Sequence, residues 1–332
     1  MKSPWILGNI KLDLTFFVFP SFITILFSLL FLKEHTIHIF LLLITFHLID
    51  SGHIYFTFFR TYANKDERQS SSLYIYTPLI IFSIFFLWIF TNTPFVWHFV
   101  VYATLYHNVR QFYGITRWYQ KLQKNFSPWP TRFLYLLCLT PVIIYHFRTN
   151  IITGIYSQKD IFHFPSEFLL NISLVFYISI LISWILYETF QIKKNIFSLG
   201  RFLSLLTPIS AYGFGLILGQ NYFQILGPII AAHGIAYMAL VAFSLEKIQP
   251  EKYKTFKRTL LLLLGVAIIF GILEAYTEDT LSPLMDGMTY ETKVHLPLSL
   301  FAAAYLTPLF THYFFDSLIW KSKHREAHLI YN

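Results

Sequence analysis

Apolar residues recur along this chain in runs long enough to cross a bilayer as helices, which takes about 20 residues each. The segment HIFLLLITF at 38–46 is one example, and no charge-rich gap between the runs leaves room for a separate soluble domain. The pattern predicts helices over 14–32, 38–59, 73–91, 95–115, 132–147, 166–190, 197–218, 222–245, 258–275 and 297–320. The expected fold is therefore all-α: a polytopic transmembrane bundle of about ten spans, with residues 1–332 forming a single integral membrane domain.

Composition supports this class. Of 332 residues 55% are hydrophobic, 20% aromatic and only 13% charged, about half the charged share of a soluble domain. The first apolar stretch, within MKSPWILGNIKLDLTFFVFPSFITILFSLLFLK, is too long for a signal-peptide core and has no small-residue cleavage site after it, so it is expected to remain as the first span. Cys138 is the one cysteine and lies in an apolar segment, which excludes an intrachain disulfide and a cysteine metal motif.

The net charge of +8 is accounted for by topology, and nucleic acid is not an expected partner. Cytoplasmic loops retain lysine and arginine, and ten spans put both termini on one side. Of the 25 lysines and arginines, only Lys33, Arg148, Lys159 and Lys293 then fall on the opposite side. Both termini are expected to be cytoplasmic, and the bilayer, as a bacterial inner membrane, is the expected surrounding. The loop TRWYQKLQKNFSPWP mixes basic and aromatic residues, as an ordinary positive-inside loop or one lying along the inner headgroups would.

Polar residues inside the spans change the picture. Thirteen histidines are present; eight fall in loops or near span ends, and five lie deeper: His47 and His53 in the second span, His107 in the fourth, His233 in the eighth and His312 in the tenth. Asp50 and Asp316 join them. Ionisable groups at such depth cost a few kcal/mol each, so they usually face a protein interior and have partners. Even-numbered spans all run from outside to inside, and at about 1.5 Å per residue the five histidines lie roughly 10 to 20 Å above the basic residue closing each helix. They are expected to share one layer in the cytoplasmic half.

Helical spacing groups them further. At about 100° per residue, His47, Asp50, His53, Thr57 and Arg60 fall within an arc of roughly 140°, shared with Phe46 and Ile54. Thr104, His107, Arg110, Gln111 and Gly114 form one stripe, while His312 with Asp316 and His233 with Tyr237 are each one turn apart. A carboxylate one turn from a histidine can orient a metal-ligating imidazole by accepting the proton on its second nitrogen. Imidazole and carboxylate without thiolate suit iron or zinc. A buried histidine also serves as a plain hydrogen-bonding group between helices, and a layer of them as a proton or substrate pathway. Arg60 is expected to snorkel to the inner interface; Arg110 is expected to do the same or to meet an anionic ligand or a site carboxylate.

The strings HNVRQFYG (107–114), DSGHIYFTFFRTY (50–62) and HYFFDSLIW (312–320) resemble signatures of an uncharacterised family of bacterial polytopic membrane proteins with no established activity. Around the eighth span this chain has Ala236 and Met238 where the pattern places a polar residue and a second histidine, which puts the role of His233 in doubt. In site type the arrangement is similar to the membrane iron enzymes of the fatty-acid desaturase and hydroxylase group and to the bacterial carotene dioxygenases, although the HxxxH and HxxHH boxes of desaturases are absent.

The expectation is a membrane-embedded metal-dependent oxidoreductase, using iron or else zinc, that acts on a lipid or isoprenoid. His47, His53, His107, His233 and His312 are the expected ligands, with Asp50 and Asp316 as ligands or orienting groups. Arg110, Gln111 and Tyr237 are expected to orient substrate or donate protons. The alternatives are a transporter or proton-coupled carrier with a histidine and aspartate relay, and a haem-binding membrane protein.

Overall fold

The computed structural model describes residues 3–30, 35–64, 72–156, 159–286 and 296–321. Lys2, Lys33, Lys65, Arg68, Lys293, Lys323 and Arg325, which enter the charge argument, lie outside these ranges. Among the described residues there are ten helices and no strand. They are α1 (Ile10–Leu30), α2 (His35–Arg60), α3 (Ser72–Phe90), α4 (Val96–Leu122), α5 (Trp129–Phe147), α6 (Glu167–Lys193), α7 (Leu199–Leu218), α8 (Tyr222–Ile248), α9 (Phe256–Asp286) and α10 (Leu296–Ile319).

Nine of the ten are long and apolar enough to cross a membrane, and the chain is an integral membrane protein with an all-α fold. The tenth, α4, has the length, at 27 residues, but its His98, His107, Asn108, Arg110 and Gln111 lower its hydropathy. Helix α6 has only 17% of its most apolar window buried, against 94% for α8. The first is mostly exposed; the second is mostly buried. Prolines 78, 141, 208, 228 and 308 sit inside helices, which membrane helices tolerate because neighbouring groups re-satisfy the freed backbone. Serine side chains start two helices: the Ser166 and Ser198 hydroxyls accept from the backbone N–H of Leu169 and Arg201, which meets donors that have no partner within the helix.

The sequence carries no linker, and the structure divides instead into two compact units interleaved along the chain. The first comprises Met1–Phe46, Thr104–Thr153 and Ile161–Ala236; the second comprises His47–Ala103, Gly154–Asp160 and Tyr237–Asn332. No composition shift marks the division because each unit gathers separate stretches of chain, and α2, α4 and α8 contribute a part to each.

In the first unit α5 packs on α6 and α7, and α7 on α1. Several buried polar groups there are paired. The Asp13 carboxylate accepts the backbone N–H groups of Ile6 and Leu7, each at 2.8 Å, and the Tyr119 hydroxyl. Arg201, fully buried, bonds Glu188, and Thr116 meets Ser204 at 3.0 Å.

In the second unit α3 packs on α10, and α2 packs on α9 and α10. One apolar cluster joins Ile54, Phe85, Val100, Ala302 and Leu306; another joins Phe56, Val241, Leu245, Leu263 and Ala267. Small residues let α2 and α9 approach closely, as is usual between membrane helices. A Cβ added at Gly52 would lie 2.8 Å from the Cβ of Ala267, and one at Gly271 would lie 2.1 Å from the carbonyl oxygen of His47. That carbonyl belongs to a π-helical stretch, Ile44–Ser51, in the middle of α2. Such stretches accumulate at functional sites, and this one holds His47 and Asp50.

Candidate functional site

The second unit assembles its polar centre from three helices. The Gly52–Arg60 end of α2 supplies His53 and Thr57, the Tyr237–Ile248 end of α8 supplies Tyr237, and α10 supplies His312 and Asp316. His53, His312 and Tyr237 are each no more than 2% exposed. The His53 and His312 rings lie 5.0 Å apart, centre to centre, and Tyr237 lies 4.9 Å from His312 and 5.7 Å from His53. This is a close triangle of edge-to-face rings.

What each imidazole does with Nδ1 is decided locally. The Nδ1–H of His53 donates to the carbonyl of Ile49, one turn earlier, at 3.1 Å. The nearest Asp50 oxygen is 3.8 Å from the same nitrogen. Nδ1 of His312 is 2.6 Å from the Thr57 hydroxyl oxygen, and Asp316 stands 3.7 Å from it. Spacing alone paired each histidine with the carboxylate on its own helix. The carboxylates are near, but the hydrogen bonds go to a carbonyl and a hydroxyl. Since a carbonyl only accepts, neutral His53 carries its proton on Nδ1 and its lone pair on Nε2. Thr57 also meets the Tyr237 hydroxyl at 2.6 Å, and that hydroxyl donates to Asp316 at 2.7 Å.

His47 and Asp50 stand half-buried in the π-helical stretch. A π-turn closes over five residues instead of four, so the uniform 100° step that set them on one arc with His53 does not hold there. Arg60 is fully buried, contrary to the snorkelling expected for it. Thr57 was visible as part of the polar arc, but its place between two helices distant in sequence had no sequence signal.

The first unit holds its own pair. His107 on α4 and His233 on α8 stand with ring centres 5.1 Å apart at 76°. Gln111, expected to orient substrate or donate protons, donates through Nε2 to the His233 backbone carbonyl at 2.9 Å, so it clamps α4 to α8. Arg110 is exposed, bonds the Tyr135 hydroxyl at 2.6 Å and lies over the Tyr113 ring at 4.6 Å. Its partners among the described residues are phenols on α5 and α4. Cys138 is buried and free.

No family model, curated protein or solved structure matches this chain.

Proposed function

We propose that this chain is a membrane-embedded metal-dependent oxidoreductase, that its metal is iron, and that its substrate is a lipid or isoprenoid entering from the bilayer, in bacteria the inner membrane. The observation that carries the reading is the second-unit pair: two buried histidines, rings 5.0 Å apart, each with Nδ1 directed to a protein group and a carboxylate within 4 Å of it. Metal-ligating histidines are held this way, through the nitrogen that does not bind the metal. Imidazole donors without thiolate suit iron or zinc, and iron supplies the oxygen and one-electron chemistry that an oxidoreductase needs.

In this reading His53 and His312 bind through Nε2. Asp50 and Asp316 stand on the Nδ1 side of the rings, within 4 Å of that nitrogen, and do not bind the metal themselves. The apolar helices keep water out and receive the lipophilic substrate. His107 and His233 are assigned to metal binding on the sequence argument, and their variants are assayed separately.

A second reading, a proton-coupled carrier, is favoured by the series of hydrogen bonds from His312 through Thr57 and Tyr237 to Asp316, which can pass a proton. One experiment separates the two: metal analysis and an optical spectrum of protein purified without chelators. Stoichiometric iron without a Soret band is the expected result. A Soret band would indicate haem; absence of metal would overturn the enzyme reading and leave the carrier.

A further inference from the structure

We infer that Thr57 and Tyr237 are positioning residues that lock His312 in one tautomer, with the proton on Nδ1 and the lone pair on Nε2, by relaying the hold of Asp316 across two hydroxyls. The inference rests on the metal-binding reading and identifies what orients the ligand.

The argument is a count of hydrogens. An ionised Asp316 can only accept, and the Tyr237 hydroxyl then donates to its carboxylate, at 2.7 Å. A phenol has one hydrogen, so Tyr237 has none left for Thr57. The 2.6 Å contact between the two hydroxyls is therefore donated by Thr57. Threonine also has one hydrogen, now engaged. At its 2.6 Å contact with Nδ1 of His312, Thr57 must accept, and the nitrogen must carry the proton. In neutral imidazole the other nitrogen then holds the lone pair. Every donor in the series points toward Asp316, although its carboxylate is 3.7 Å from Nδ1 and outside direct hydrogen-bond reach.

The same series explains why residues far apart in sequence converge. Thr57 on α2, Tyr237 on α8 and His312 with Asp316 on α10 are all buried or nearly so. Removing one hydroxyl leaves its neighbours without the bond that sets their direction. His53 reaches the same tautomer by a shorter route, through the Ile49 carbonyl on its own helix, so the two rings would present Nε2 alike.

The test uses the full-length protein stripped of metal and titrated with cobalt(II), read by its d–d absorption, with elution profile and thermal unfolding as folding controls. Thr57→Val keeps the branched shape and removes the hydroxyl. Thr57→Val and Tyr237→Phe are each expected to weaken cobalt binding by about 10- to 100-fold, the usual loss when a group orienting a ligand is removed. Thr57→Ser, which restores the hydroxyl, is expected to recover most of the affinity, which a purely packing role would not require. Cobalt affinity unchanged in folded Thr57→Val overturns the lock.

A second measurement needs no hydroxyl variant to fold: nitrogen-15 histidine NMR of the metal-free wild type in lipid, with the His312 signals identified by their loss in His312→Gln. A proton on Nδ1 supports the inference, and a proton on Nε2 alone overturns it. Wild type that binds no cobalt while showing the Nδ1 proton refutes the metal reading and leaves the tautomer assignment standing, so the two failures are distinguishable.

Discussion

A buried histidine is ambiguous until the partner of each ring nitrogen is known, and here that knowledge separates side chains that looked alike in the sequence. His53 and His312 have Nδ1 bonded to Ile49 and Thr57, while Arg110, placed on a polar stripe by spacing, bonds Tyr135 at an exposed position. His53→Gln and His312→Gln are expected to lower bound metal by at least about tenfold while the protein still inserts and folds, because an amide does not replace an imidazole donor. Metal analysis of the purified variants reads this directly. Asp316→Asn keeps the size of the side chain and removes the charge to which the hydroxyl series points; a loss of about 10- to 100-fold in metal affinity is expected. His146, whose Nδ1 bonds the Val142 carbonyl within the first unit, belongs to neither histidine pair, and His146→Gln should retain full metal content.

At the scale of elements, the contact between α2 and α9 falls on the π-helical stretch that carries His47 and Asp50. Gly271→Ala would drive a Cβ to within 2.1 Å of the His47 carbonyl oxygen, and backbone cannot swing aside as a flexible side chain can. A destabilisation of about 1–3 kcal/mol is expected, the usual cost of overpacking. Gly265 lies on the same helix, and a Cβ there meets nothing within 4 Å. Gly265→Ala should be neutral or stabilise by up to about 1 kcal/mol through helix propensity. Thermal unfolding of the two variants side by side separates close packing from a general intolerance of α9. In the first unit the Glu188 and Arg201 pair makes a parallel case. Glu188→Gln leaves the buried guanidinium without its charge partner, at an expected cost of about 3–5 kcal/mol, whereas replacing both residues with methionine should cost less.

For the whole molecule, the placement of basic residues makes a claim about sidedness that fusion reporters can check. A reporter after Asn332 and one in the loop near Lys124 are expected on the cytoplasmic side, and one between Arg148 and Ser166 on the outer side. The polar helix α4 is the discriminating element: if it did not cross, a reporter in the loop near Asn92 and the one near Lys124 would lie on the same side, whereas a crossing α4 puts them on opposite sides. Reporters near Asn92 and Lys124 on the same side would also remove the basis for placing the histidines at one depth, since that comparison needs α2, α4, α8 and α10 to run in the same direction.

Hydropathy and helical period are sums over neighbouring residues, so the sequence by itself determined what such sums contain. Those were the helix class, the ten segments to within several residues (α9 runs on to Asp286, beyond the expected 275), the membrane setting, and the identity of the polar side chains carried by α2, α4, α8 and α10. It also determined which carboxylate lies one turn from which histidine. The tertiary structure decided the rest: that Thr57 stands between His312 and Tyr237, that Gln111 clamps a backbone carbonyl, that Arg60 is buried and Arg110 exposed, and that the chain gathers into two interleaved units. Thr57 is 180 residues from Tyr237 and 255 from His312. A hydrogen bond across such a separation depends on how helices pack and rotate against one another, and no local window of sequence contains that geometry.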